Sequence, residues 1–187
     1  PVKKSTKHYF FKLKNFSEPH LDYLTNAPYL QKDVKKYVEN WIKEGLVDWD
    51  ITRDISWGVP VPIDGLESKV FYGWFDNHLA YISSSIKFLN DKGINGKSFW
   101  NDADIYHFIG KDIVYHHYLF LPAMRLGINK EFKLPDYIPT RGHLTLEAKK
   151  ISKSRNWYIG LKEFLEIFPA DYLRFYLISI NPYSQDD

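Results

Sequence analysis

The stretch IYHFIGKDIVYHH at residues 105–117 decides how this chain is read. Ile105 to Ile109 is a short apolar run of strand type, Gly110-Lys111-Asp112 is a polar turn, and the following apolar positions predict a helix through His117, Leu121 and Met124. Upstream, Val70 to Phe75 (VFYGWF) is a nearly continuous apolar run, the pattern of a strand buried on both faces, leading through Asp76 into a helix over Leu79 to Leu89. Gly93 and Gly96 mark a loop between these two units. Downstream, Pro135 and Pro139 close a loop, Gly142 to Leu146 (GHLTL) reads as a strand, and a Lys-rich loop precedes a helix over Leu161 to Phe168. Three strand-then-helix units imply an α/β fold with parallel strands and right-handed crossovers. Ligands in such folds bind beyond the carboxyl ends of the strands, where this chain carries Asp76, Lys111-Asp112 and Lys150 to Lys153.

Further out, HYFFKL at 8–13 reads as a strand, and Ser17-Glu18-Pro19 as an N-cap followed by a proline early in a helix. Between Pro28 and Gly45 the positions Leu30, Val34, Tyr37, Val38, Trp41 and Ile42 keep a spacing of three or four, an amphipathic helix stopped by Gly45. Trp49 to Pro62, broken by Gly58, Pro60 and Pro62, is expected to be extended and irregular. A last apolar-periodic helix is expected over Asp171 to Ile180.

Composition narrows the classes. With 187 residues, 44% hydrophobic and 18% aromatic, the chain has enough apolar matter for a substantial core. It has no cysteine, which removes disulfides and thiolate metal sites. The 25 basic against 23 acidic residues leave a net charge of +2, so any nucleic-acid contact is local. No apolar run approaches the ~18 residues that cross a bilayer. No membrane is therefore expected, and a cytoplasmic location fits. The chain opens at Pro1 and runs straight into the strand-like His8 to Phe11, which suggests an internal boundary from cleavage, cloning or a split gene.

Four motifs in order carry a resemblance: RDISWGVPVP at 53–62, VFYGWFD at 70–76, HFIGKDIVYHH at 107–117 and KISKS at 150–154. Together they resemble the second half of the catalytic domain of methionyl-tRNA synthetases, KISKS being similar to the Lys-Met-Ser-Lys-Ser loop of synthetases built on a Rossmann-type domain. SRNW at 154–157 and FPADYLRFYL at 168–177 are similar to the archaeal and eukaryotic branch. The resemblance implies the end of a connective insertion at 1–50, the second half of a Rossmann-type nucleotide-binding domain at 51–168, and the start of a helical stem-contact region at 169–187. It further implies methionine, ATP with Mg2+ and tRNA as substrates, no metal held by this segment, and a partner: the N-terminal half of the catalytic domain, in the same or a separate chain. That half carries the family's His-Ile-Gly-His type motif, which does not occur here, so this polypeptide alone is expected to be inactive.

By the same resemblance Lys153, assisted by Lys150, would neutralise charge on the departing pyrophosphate, with Ser152 in the same nucleotide-binding loop. Alone, KKISKSR also reads as a solvated basic patch. Asp112 would accept hydrogen bonds from the ribose, with Gly110 allowing close backbone approach; an acidic residue at a helix start is the plainer alternative. Trp74, Asn77, His78, Tyr81, Ile113 and His117 match positions lining the methionine pocket, although Trp74 and Ile113 could be simple core. His116-His117 could be taken for metal ligands, but neighbours on a helix point about 100° apart. Arg53 resembles an active-site arginine; its alternative is an ion pair with Asp54.

Where the family usually reads Ala-Pro-Ile-Gly, this chain has Asn77-His78-Leu79-Ala80. An unpaired polar group beside a thioether would cost ~1–3 kcal/mol. Either the segment is rearranged so that these side chains point away, or the chain is a paralogue whose pocket accepts something else or nothing. Two alternatives to a methionine enzyme follow: a non-catalytic relative that binds tRNA or a partner subunit, or a synthetase for leucine, isoleucine or valine. The FIGKDIVYHH wording argues against the latter.

Overall fold

A computed structural model describes residues 5–128 and 131–180. The strands are short and the helices carry the architecture. β1 (Phe10–Phe11) pairs antiparallel with β2 (Trp49–Asp50), and a 3-10 turn at Leu13–Phe16 leads into α1 (Ser17–Asn26). Ser17 is not the N-cap expected of it: Phe16 precedes the helix, and the Ser17 hydroxyl donates backwards to the Lys14 carbonyl. α2 (Lys32–Glu44) follows the predicted periodicity and ends at Gly45, whose φ of +105° is a conformation that side chains with a Cβ resist.

β3 (Thr52–Arg53) pairs antiparallel with β4 (Val70–Phe71), after which α3 (Gly73–Asp91) begins. The predicted strand over 70–75 is thus half strand and half helix. Trp74, Phe75 and Asp76 belong to the first turn of α3, because the chain turns at Tyr72 and Gly73. The Gly93–Gly96 loop is also shorter than expected. α4 (Gly96–Asp102) starts at its second glycine, capped by the Asn95 side chain, which accepts from the Ser98 N–H at 3.0 Å.

β5 (Ile109–Gly110) pairs with β6 (Thr140–Arg141) in the one parallel pair among the described residues. The ladder extends back through a bridge between Tyr106 and Tyr137, with the Pro139 carbonyl accepting from Ile109 at 3.1 Å. Pro139 conceals this strand in the sequence, yet its role in the ladder is to accept, which proline can do. The expected third strand, GHLTL, is not parallel. Its residues β7 (Thr145–Leu146) form an antiparallel hairpin with β8 (Lys149–Lys150). The expected three-stranded parallel arrangement is therefore replaced by one parallel pair flanked by antiparallel pairs.

Between β5 and β6 run a 3-10 turn (Lys111–Ile113), a π-helical turn (His116–Phe120) and α5 (Leu121–Gly127). This connection forms the centre of the molecule. Tyr118, Leu119, Phe120 and Ala123 pack against Leu13, Leu24, Val38, Ile42 and Ile138 in the main core. Buried His20 of α1 is pinned there, with one ring nitrogen 2.8 Å from the Leu119 carbonyl oxygen and the other 2.9 Å from that of Phe16. A second core of Ile82, Trp100 and Ile105 joins α3, α4 and the start of the parallel ladder. α6 (Leu161–Ile167) and α7 (Ala170–Ser179) fall close to the predicted helices. Residues 181–187 of the expected stem-contact region, and residues 1–4, lie outside the described residues.

Candidate active site

Gly110 ends β5 and the chain turns at once. The Asp112 carboxylate folds back over it, with Oδ1 2.6 Å from where a Cβ on residue 110 would lie. Only glycine leaves that position to the carboxylate. The Asp112 side chain is otherwise 64% exposed, with His143 Nε2 3.7 Å from Oδ1. It is a solvent-facing acceptor at the carboxyl end of a parallel strand.

One turn on, the first turns of α3 face the π-helical turn. Trp74, His78 and Tyr81 follow one another at i, i+4 and i+7, which places them on a single helix face. His116 packs against Trp74 with ring centroids 4.6 Å apart and against His78 at 5.3 Å; His117 lies 5.5 Å from His78. On the other side, His107 from the parallel ladder is 4.7 Å from Tyr81 and 5.6 Å from His117. Four imidazoles from three elements thus share one pocket. His117 donates from Nδ1 to the Ile113 carbonyl at 3.0 Å, so its Nε2 is the acceptor facing the Tyr81 hydroxyl at 3.2 Å.

Burial holds these rings neutral. His78 is pulled down to about 3, by burial first and then by the neighbouring imidazoles, and His107 to about 4 by burial and His117. His116 and His117 are lowered by burial as well. His78 Nε2, His107 Nδ1 and His116 Nδ1 are buried without a hydrogen-bond partner. Among the described residues, no three His, Cys, Asp or Glu side chains are arranged to hold a metal ion. Beside the cluster, Tyr81, His107, His117, Ser84, Trp100 and Ile109 contribute to the wall of a cavity of about 640 Å³.

Two of the expected pocket residues separate here. Asn77 is exposed, whereas His78 is 1% exposed and inside the cluster. Of the two alternatives for the 77–80 segment, side chains turned away describes Asn77 and not His78. Trp74 is 41% exposed on a helix rather than buried on a strand, and half-buried Ile113 packs against the main core. His107 and His116 were not among the expected pocket residues. The inward alternation of His107 with Ile105 and Ile109 is a signal in the sequence; nothing there announces the π-turn that brings His116 round.

The lysine loop is a structured hairpin. Its turn residues Glu147 and Ala148 both take positive φ, 51° and 56°, without a glycine. Beyond β8, Ser152 and Trp157 bridge each other through both backbone groups, at 2.8 and 3.0 Å, and enclose a 3-10 turn at Lys153–Arg155. Ser152 and Ser154 hydroxyls lie 3.1 Å apart across its mouth. Lys150 and Lys153 are exposed and make no ion pair with the described residues. Their charge is free to meet an anion.

Arg53 is differently engaged. It forms an ion pair with Asp50 at 3.0 Å and lies 3.8 Å over the Tyr72 ring, just before α3. Its sequence neighbour Asp54 instead pairs with buried Lys69 at 2.6 Å, which with the Thr6 hydroxyl holds the Asp54 carboxyl down to about 2. The Arg53–Asp54 pair, the alternative to an active-site arginine, gives way to two separate pairs, because successive residues of an extended chain face opposite ways.

The α/β chain thus carries a strand-end carboxylate, an exposed lysine hairpin and an aromatic, histidine-lined pocket. Over residues 1–187 the chain matches the family described as tRNA synthetases class I (M), and it belongs to that family. It is 45% identical to the methionine–tRNA ligase of Methanopyrus kandleri over 188 aligned positions, and 40% identical to that of Pyrococcus horikoshii over 199. These alignments cover 100% and 98% of this chain but 28% and 27% of the relatives. The chain thus spans little more than a quarter of their length. Among solved structures, Mycobacterium tuberculosis methionyl-tRNA synthetase bound by methionyl-adenylate superposes with a TM-score of 0.82 at 27% identity, over 98% of this chain and 35% of that one. Among the described residues, no helix is long and apolar enough to cross a membrane.

Proposed function

We propose that this chain supplies the C-terminal half of a Rossmann-type catalytic domain to a cytoplasmic methionine–tRNA ligase. Residues 1–50 are then the end of the connective insertion, 51–168 the half-domain, and 169–187 the start of the stem-contact region. The substrates are methionine, ATP with Mg2+ held largely by its phosphates, and tRNA. The methionine carboxylate attacks the α-phosphate, pyrophosphate leaves, and the aminoacyl group passes from the adenylate to tRNA.

The observation that carries this reading is the hairpin bearing Lys150 and Lys153 as exposed cations without ion-pair partners among the described residues, in a chain that also presents Asp112 beyond a parallel strand. Negative charge grows on the leaving pyrophosphate, so a lysine meeting it only as it develops lowers the barrier without over-binding ATP. Lys153 has this role and Lys150 assists, with Ser152 beside them. Asp112 accepts from the ribose hydroxyls over Gly110. Trp74, His78, Tyr81, Ile113 and His117 form the amino-acid side of the site, with Asn77 at its rim. A rigid aromatic pocket with neutral imidazoles suits an unbranched, polarisable thioether better than a charged side chain. Arg53 braces the entry to α3 through Tyr72.

The partner is the N-terminal half of the domain. The test is to join the chain to a first-half polypeptide and measure pyrophosphate exchange into ATP. Exchange that requires methionine and falls with Lys153→Ala is expected; exchange driven by a different amino acid, or none at all, refutes the reading.

A further inference from the structure

Trp157 contacts both strands of the lysine hairpin and the serine beyond them. Its indole N–H donates to the Leu146 carbonyl of β7 at 3.0 Å. Its backbone N–H and C=O bond Ser152 at 3.0 and 2.8 Å. Its ring lies 4.9 Å beneath the Lys149 ammonium of β8. The two strands meet at the indole, and the serine between the lysines is held by the backbone of the same residue.

Such a fastening is needed because the hairpin is not held by its own turn. Glu147 and Ala148 sit in the left-handed region at φ 51° and 56°, and Asn156 closes the 3-10 turn at 51°. Glycine and asparagine tolerate that region; Glu and Ala resist it. Each of β7 and β8 has two residues, and a ladder that short cannot fix the turn unaided.

We propose that Trp157 is a positioning residue, which latches the hairpin so that Lys150 and Lys153 project together in the geometry the leaving pyrophosphate requires. This rests on the reading that these lysines act on ATP phosphates. Lys150 precedes Ser152 by two positions and Lys153 follows it by one, so a latch on Ser152 and β7 sets the spacing between the two cations without touching substrate.

Two measurements with Trp157→Ala and Trp157→Phe test it. Phe keeps a ring under Lys149 and the Ser152 backbone bridge but removes the indole N–H; Ala also removes the ring. In the chain itself, tryptic cleavage after Lys149, Lys150, Lys153 and Arg155 is expected to accelerate in the order wild type, Phe, Ala, by about tenfold for Ala, with cleavage outside 149–155 unchanged. In the two-half enzyme, kcat for pyrophosphate exchange is expected to fall by ~10- to 100-fold for Ala and by less for Phe, with KM for methionine within about twofold.

Unchanged cleavage within 149–155 overturns the latch, and faster cleavage with unchanged kcat overturns its role in positioning. A rise in KM for methionine equal to the loss in kcat/KM does so too, since it marks damage beyond the loop. If the unsubstituted two-half enzyme shows no exchange, the functional reading fails and the positioning role falls with it, while the cleavage order still decides whether the latch exists.

Discussion

Tyr81 donates its hydroxyl to His117 Nε2 across 3.2 Å, and the direction of that bond is set on the far side of the imidazole, where Nδ1 faces the Ile113 carbonyl at 3.0 Å. A carbonyl can only accept, so the ring proton sits on Nδ1, Nε2 must accept, and the phenolic oxygen keeps its lone pairs for the pocket. The tautomer is thus dictated by the turn that follows β5.

Removing the donor exposes how much the pair contributes. Tyr81→Phe leaves Nε2 of a 1%-exposed histidine without its partner, and a loss of ~1–2 kcal/mol is expected in urea unfolding. Methionine KM in the two-half enzyme should rise as well. A variant as stable as the parent would show that the bond is replaced by another donor.

Acidification is expected to destabilise the chain through its histidines. Unfolded imidazoles bind protons near pH 6.5, whereas folded His78 and His107 do so only near 3 and 4. Their folded pKa values are depressed, so the unfolded state takes up more protons below pH 6.5. Stability is full above that pH and falls towards pH 4 to 3, by up to about 1.4 kcal/mol per pH unit for each ring. Urea midpoints at pH 7.5 and 5.0 measure the slope, which should be shallower in His78→Gln. Equal slopes would place the protonation elsewhere.

Gly110→Ala separates binding from stability. The added methyl meets Asp112 Oδ1 at 2.6 Å, and that atom is the end of an exposed, rotatable side chain. The carboxylate can swing away at little cost, so unfolding should change by less than ~0.5 kcal/mol. ATP KM in the two-half enzyme should nonetheless rise, because the acceptor proposed for the ribose has moved. Unaltered ATP KM would remove Asp112 from the nucleotide site.

Gly96→Ala should do the reverse. Here the Cβ would meet the Ile86 carbonyl oxygen at 2.5 Å and its Cα at 2.7 Å, and backbone within α3 cannot rotate aside. A loss of ~1–3 kcal/mol is expected from forcing α4 off α3. A thermal midpoint within a degree of the parent would contradict the close packing of these helices.

Much of the fold is legible locally. The spacing in 30–42 yields α2, and the apolar periodicity near the C-terminal end yields α6 and α7, since a helix is specified by residues three and four apart. Strand partners are another matter. Val70–Phe71 and Thr145–Leu146 carry strand character that says nothing of direction, and both pair antiparallel; the true partner of β5 lies behind Pro139.

The candidate site divides in the same way. The order of motifs along the chain determined the family, the lysine loop and the strand-end Asp112, because each is contiguous. Only the tertiary structure decided that His78 turns inward while Asn77 turns out, and that a π-turn brings His116 against Trp74. It alone brought His107 in from the parallel ladder and set Trp157 across the hairpin. The physical reason is that burial and hydrogen-bond geometry are settled between elements far apart in sequence. A side chain's role there depends on what packs against it, which its own neighbours in the chain do not encode.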